Sequence, residues 1–143
     1  MQVKKIEFSE LEEQVSPKLS FRDVLAPETG KAYVVVITRD GCPACHRHKP
    51  KFQKLAATLS KKLDASVAFV EVHVKKPAGS DAESLRSKSV FGHYFYPTDL
   101  VLLRTKDRGA IEFFRAVSPR MDELRRNVEN AVATALALAK ENP

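Results

Sequence analysis

The sequence predicts an α/β domain built on a central mixed β-sheet flanked by helices on both faces. Three observations predict it. A continuous apolar, β-branched run, Ala32-Tyr33-Val34-Val35-Val36-Ile37-Thr38, has no polar face, as expected of a central strand covered on both sides. A helix-periodic segment and a second such run, Val67–Val74, follow it, and strand–helix–strand implies a right-handed crossover with parallel pairing. Two later apolar runs, Asp99–Leu103 and Ala110–Val117, are joined only by Arg104-Thr105-Lys106-Asp107-Arg108-Gly109, and so short a connection implies an antiparallel hairpin.

Taken in order, Val3–Phe8 reads as a short strand and Ser9–Val15 as a short helix capped by Ser9. Ser16-Pro17 breaks that helix, and Pro27-Glu28-Thr29-Gly30 reads as a turn before the central strand. After Arg39-Asp40-Gly41, the residues Phe52, Leu55, Ala56, Leu59 and Leu63 recur at i, i+3, i+4, i+7 and i+11, one face of a helix. Pro50 lies inside that pattern and predicts a kink or a joint. Lys75–Ser80, with Pro77 and Gly79, reads as a loop, and Asp81–Val90 as a helix. Ser118-Pro119 reads as the cap and first position of the last helix, whose buried stripe is Met121, Leu124, Val128, Ala131, Ala135 and Leu138. The order βαβαβαββα, in 143 residues, predicts one domain over 1–143.

The chain carries a net charge of +6, and Cys42 to Leu63 holds six basic residues and no acidic one. The remainder balances, so the whole excess lies in the segment that begins at the cysteines. A solvated helix face is one reading; the other is a positive field around a thiolate, or attraction of acidic partners. No nucleic-acid motif accompanies the basic stripe, so nucleic acid is not an expected partner. No stretch approaches the roughly 20 apolar residues of a membrane span, so no membrane is expected. The start, Met1 to Phe8, holds no apolar run of signal-peptide length, which gives the cytoplasm as the expected location.

Only two cysteines are present, three positions apart in Gly41-Cys42-Pro43-Ala44-Cys45-His46-Arg47-His48-Lys49-Pro50. Such a pair cannot cross-link distant parts of a fold and calls for a chemical explanation. The central strand delivers Cys42 to the start of a helix, where free N–H groups and the helix dipole stabilise an anion. A thiolate there has a lowered pKa and is a nucleophile near neutral pH. Arg47, Lys49 and His46 add positive charge, and Pro43 suits the first turn, where its missing N–H costs nothing. Cys45 falls on the same turn and can resolve a mixed disulfide formed at Cys42. The candidate catalytic residues are therefore Cys42, attacking, and Cys45, resolving, with Pro43, Ala44, His46 and Arg47 tuning them. No metal or organic cofactor is needed.

This segment resembles the active-site region of the thioredoxin-fold superfamily, with Cys-Pro-Ala-Cys as its redox motif. The buried strand leading into the cysteines, Pro50 five residues beyond Cys45, and Phe91-Gly92-His93-Tyr94-Phe95-Tyr96-Pro97-Thr98 carry the resemblance. It implies a thioredoxin-like fold and a thiol–disulfide oxidoreductase acting on protein substrates, with a redox partner such as a reductase. It also implies a cis Tyr96–Pro97 bond and a Tyr96 backbone that pairs with the substrate chain. Of Phe91, Tyr94, Phe95 and Tyr96, half are expected in the core and the rest beside the disulfide. The chain departs from thioredoxin in having Gly41 where a tryptophan precedes the first cysteine and Val36 where the family has a buried carboxylate. Pro43-Ala44 and the basic segment favour the thiolate, so the expected potential is more oxidising than the roughly −270 mV of thioredoxin.

Three other readings use the same residues. Cys42-Pro43-Ala44-Cys45-His46 fits the c-type haem attachment pattern. Cys42, Cys45, His46 and His48 supply zinc-ligand types crowded onto one helical turn. An adaptor of the same fold without turnover is the third.

Overall fold

The apolar runs assemble into one five-stranded sheet whose middle strand, β2 (Ala32–Arg39), is buried along seven of its eight residues. The computed structural model describes residues 3–141; the ends of the expected 1–143 domain, residues 1–2 and 142–143, lie outside the described residues. β3 (Val67–Val74) lies parallel to β2 on one side, and β1 (Val3–Glu7) lies parallel outside β3. β4 (Thr98–Arg104) pairs antiparallel on the other side of β2, and β5 (Ala110–Val117) closes the hairpin at the far edge. The order β1-β3-β2-β4-β5 is the expected mixed sheet.

Side chains alternate across a strand, so β2 feeds two cores. Ala32, Val34 and Val36 face α3 (Pro43–Leu63) and α5 (Met121–Lys140), packing on Phe52, Leu55, Ala56, Leu59, Leu124 and Val128. Tyr33, Val35 and Ile37 face the other side, where α1 (Phe8–Gln14), α2 (Phe21–Leu25) and α4 (Ala82–Phe91) cover the sheet. Phe8 stacks on Phe21 at 5.7 Å, and Phe91 meets Phe21 edge-on at 5.6 Å, which joins the three short helices. Each fully buried Phe or Leu contributes about 1.5–3 kcal/mol.

Several boundaries differ from the sequence reading, each for a physical reason. The first helix begins at Phe8, because Phe8 is fully buried; Glu7 and Glu10, and not Ser9, form its capping box. α2 was not anticipated, although Ser20 and Asp23 form a capping box at its start. α3 runs as one helix through Pro50, so the expected joint is not a break; the His46 carbonyl simply loses its i+4 donor. α5 starts at Met121 rather than Pro119, because Ser118 has φ +42° and its N–H donates to the Pro97 carbonyl at 3.1 Å. The last helix therefore cannot begin until the chain has left the loop that faces the cysteines.

Candidate active site

The turn from β2 into α3 is tight, and Gly41 takes a φ of +67° there, a conformation that disfavours side chains. Cys42 is then the N-cap of α3, with Pro43 at the first helical position. The Cys45 amide N–H donates to Cys42 Sγ at 3.1 Å, so the sulfur takes one of the helix's unpaired donors. Cys42 and Cys45 sit at disulfide distance, with Cα atoms 5.3 Å apart. Cys42 is half-buried, whereas Cys45 is only 6% exposed.

The loop between α4 and β4 forms the opposing wall. Gly92 ends α4 in the left-handed conformation at φ +68°, the Tyr96–Pro97 peptide is cis, and the Tyr96 carbonyl oxygen lies 3.7 Å from Cys42 Sγ. His93 holds this loop from inside. Its Nδ1 is 3.2 Å from the Phe95 carbonyl, an acceptor, so Nδ1 carries the proton; Nε2 then accepts from the Ser87 hydroxyl at 2.9 Å. Burial, with Lys88 and Arg115 nearby, pushes the His93 pKa down to about 4. The Tyr96 ring packs edge-on against His93 at 4.7 Å, with the Arg39 guanidinium 5.3 Å from its centroid. Phe91 belongs to the core, whereas Tyr94 and Phe95, in the same loop as Tyr96, are 80% and 66% exposed.

A cavity of about 480 Å³ opens on both cysteines. Lys5, Arg39, His46 and Lys49 line it, with the carboxylates Asp40 and Glu71 and with His73. Position 36 holds no carboxylate, yet its neighbours in register are Glu71 on β3 and Asp99 on β4, both beneath α3. Glu71 accepts from the Thr38 hydroxyl at 2.7 Å and has Lys49 Nζ 3.7 Å away. Asp99 is fully buried, its carboxyl pushed up by burial, and His48 Nε2 lies 2.9 Å from each of its oxygens. At the cavity rim, His73 bridges Glu7 and Asp40, at 2.8 Å to each. The Lys76 amide, with help from His73, holds Asp40 below the usual carboxylate range.

The anticipated residues are thus divided. Cys42, Cys45, Pro43 and His46 line one cavity, and the Tyr96 carbonyl faces it. Ala44 and Arg47 line a different cavity, between α3 and the start of α5. His48 turns to Asp99 and away from the cysteines, which divides the four residues of the zinc reading. Among the described residues no group of three or more His, Cys, Asp or Glu is placed to hold a metal ion. Sequence reasoning missed Arg39, three residues before Cys42, and Glu71 and the His73 bridge, which only strand register brings to the cysteines. A Glu inside the apolar run Val67–Val74 was the one visible signal.

No family model and no curated protein matches the chain. Solved structures do. The chain is 13% identical to the Trx4 domain of ERdj5 at a TM-score of 0.62, covering 94% of this chain and 98% of that one. Against the J-Trx1 fragment of ERdj5 the TM-score is 0.57, with 14% identity over 92% of this chain and 52% of that one. A thioredoxin from Thermus thermophilus gives 0.61 and 17% identity, covering 98% and 95%. A structure of a ferredoxin: thioredoxin reductase and thioredoxin f2 complex gives 0.58 and 15%, covering 91% and 94%. The five-stranded order, the helices on both faces and these likenesses together establish that the chain has the thioredoxin fold, with a cysteine pair at disulfide distance where its central strand enters its longest helix.

Proposed function

We propose that the protein is a thiol–disulfide oxidoreductase acting on protein substrates. One observation carries the reading. The sulfur of half-buried Cys42 caps α3, takes the Cys45 amide and lies beside the Tyr96 carbonyl, and Cys45 is buried. A helix N-terminus and an N–H donor stabilise a thiolate at that position.

Starting from the dithiol, the Cys42 thiolate attacks one sulfur of a substrate disulfide. A Cys42–substrate disulfide forms, and the other substrate sulfur leaves as a thiolate. Cys45, deprotonated in turn, attacks Cys42 Sγ; the Cys42–Cys45 disulfide forms and the second substrate thiolate leaves. The substrate gains two electrons and the protein loses them, and the reverse sequence oxidises a dithiol. Tyr96 and Pro97 are the proposed substrate-binding residues, because an extended chain can pair with backbone groups of Tyr96 beside Cys42. Tyr94 and Phe95, exposed in the same loop, offer apolar surface to that chain. A reductase is the proposed redox partner; thioredoxin f2 is seen with one. The cytoplasm remains the proposed location.

The test is a redox titration of the purified chain in glutathione or dithiothreitol buffers, with alkylated thiols counted by mass. Cys42 and Cys45 are expected to titrate as one two-electron couple, with a midpoint more oxidising than about −270 mV. Cys42→Ser should abolish exchange, whereas Cys45→Ser should accumulate mixed disulfides. Thiols that resist oxidation would leave the adaptor reading in place, and full multiple turnover by Cys45→Ser would reverse the assigned roles.

A further inference from the structure

Arg47, Lys51 and Lys54 stand at i, i+4 and i+7 on α3, so they share one face of the helix. All three are exposed, and among the described residues none of them forms an ion pair. Further along α3 the pattern changes, since Lys62 meets Glu129 of α5 at 2.6 Å. Like charges at this spacing weaken a helix, and among the described residues no ion pair offsets them.

The three cations border two adjoining hollows between α3 and α5. One, of about 400 Å³, is lined by Ala44, Arg47, Lys51, Ser118 and Arg120 among others. The next, of about 460 Å³, shares Lys51 and Met121 with it and adds Lys54, Leu55 and Arg125. Together they form a groove that begins at Ala44, between the two cysteines. Its basic rim comprises Arg47, Lys51, Lys54, Arg120 and Arg125. The one acid that lines it, Asp122, lies 3.4 Å from Arg120. Leu55 and the half-buried Met121 give it an apolar floor.

We propose that this groove docks an acidic segment of the polypeptide that exchanges disulfides with Cys42, carboxylates meeting Arg47, Lys51 and Lys54 and an apolar side chain lying over Leu55 and Met121. The proposal rests on the oxidoreductase reading and names its partner's chemistry. Arg47 to Lys54 spans about 10 Å along the helix, which about three residues of extended chain cover. An apolar floor, and an end at Ala44 between the two cysteines in the chain, suit a polypeptide rather than a nucleic acid, whose affinity would rest on phosphates.

The test uses the reduced full chain and three synthetic peptides that share one disulfide and differ in acidic, neutral or basic flanks. The readout is the ratio of exchange rates, acidic over neutral, which is insensitive to a change in cysteine reactivity. Wild type should favour the acidic peptide by on the order of tenfold at low salt and lose that preference at high salt. Arg47→Glu with Lys51→Glu and Lys54→Glu should bring the ratio to one or below. A control with Lys18→Glu, Lys106→Glu and Arg108→Glu, the same charge change on exposed residues outside the groove, should keep it. Equal rates for the three wild-type peptides, or equal loss in the control, would overturn the groove while leaving the oxidoreductase reading intact. Failure to reduce even the neutral peptide would instead sink the oxidoreductase reading. Anisotropy of a labelled acidic peptide lacking cysteine then still reads the groove: salt-sensitive binding lost only in the groove variant supports it, and no binding overturns it. Displacement of that peptide by a single-stranded oligonucleotide that binds more tightly would reassign the groove to nucleic acid.

Discussion

Cys42 shares its cavity with one carboxylate from the sheet, Glu71, whose charge is partly met by Lys49 3.7 Å away. A negative group in a partly dry cavity opposes ionisation of a neighbouring thiol. Glu71→Gln can still accept from Thr38, and it should leave more of Cys42 ionised at a given pH and move the redox midpoint in the oxidising direction. Thiolate absorbance against pH reads the first effect, and no change would remove Glu71 from the electrostatics of the site. His93 acts on the other wall. Its pKa falls from 6.5 to about 4 on folding, so the neutral ring is favoured in the native state. Its contribution to stability is complete above pH 6.5 and is lost as the pH falls towards 4, where the native ring too becomes charged. Urea unfolding at a series of pH values should therefore show wild type losing stability over that window more steeply than His93→Gln. Parallel curves for the two proteins would mean that His93 titrates alike in both states.

At the scale of elements, α2 shows what a short helix needs in order to exist. Five residues cannot sustain a helix by propensity, since nucleation is costly. Ser20 and Asp23 cap it, and Asp23 also accepts the Ala110 amide at 2.9 Å, while Arg104 reaches the Ala26 carbonyl at 2.7 Å. The first of these bonds is local and was legible in the sequence; the others join residues more than seventy positions apart. Ser20→Ala should cost about 1 kcal/mol, read as a shift of the urea midpoint at unchanged slope. Little or no shift would mean that the long-range bonds hold α2 without its cap. The start of α5 makes the complementary point. Ser118-Pro119 has the composition of a helix start, but the Ser118 N–H belongs to Pro97. Tertiary structure overrode a local signal, because Ser118, held to Pro97, has φ +42° and so lacks the extended conformation of an N-cap.

Over the whole molecule, the sheet order places two different chemistries on the two sides of the α3 N-terminus. On the β3 side the cavity holds the cysteines with Arg39, Glu71 and His73. On the α5 side the groove holds Ala44, Arg47, Lys51 and Arg120. The charge excess of the Cys42–Leu63 segment, visible as a count, is thereby divided. Lys49 faces the sheet carboxylate, Lys62 meets α5, and Arg47, Lys51 and Lys54 remain unpaired among the described residues. A count cannot make that division, because it depends on which turn of the helix each residue occupies and on what the neighbouring element offers.

Local patterns in the chain were enough to determine the five strands, the long helices, the mixed sheet and the cysteine pair at a helix start. Each follows from side-chain period, β-branching or a spacing of three residues, and these act within a few positions of one another. Only the tertiary structure decided that Glu71 and Asp99 flank position 36, that His48 belongs to Asp99, that His93 holds the loop facing Cys42, and that Arg47 lines a hollow shared with α5. Those outcomes depend on strand register and helix rotation, which are set when whole faces are buried together, and no single window of sequence carries that information.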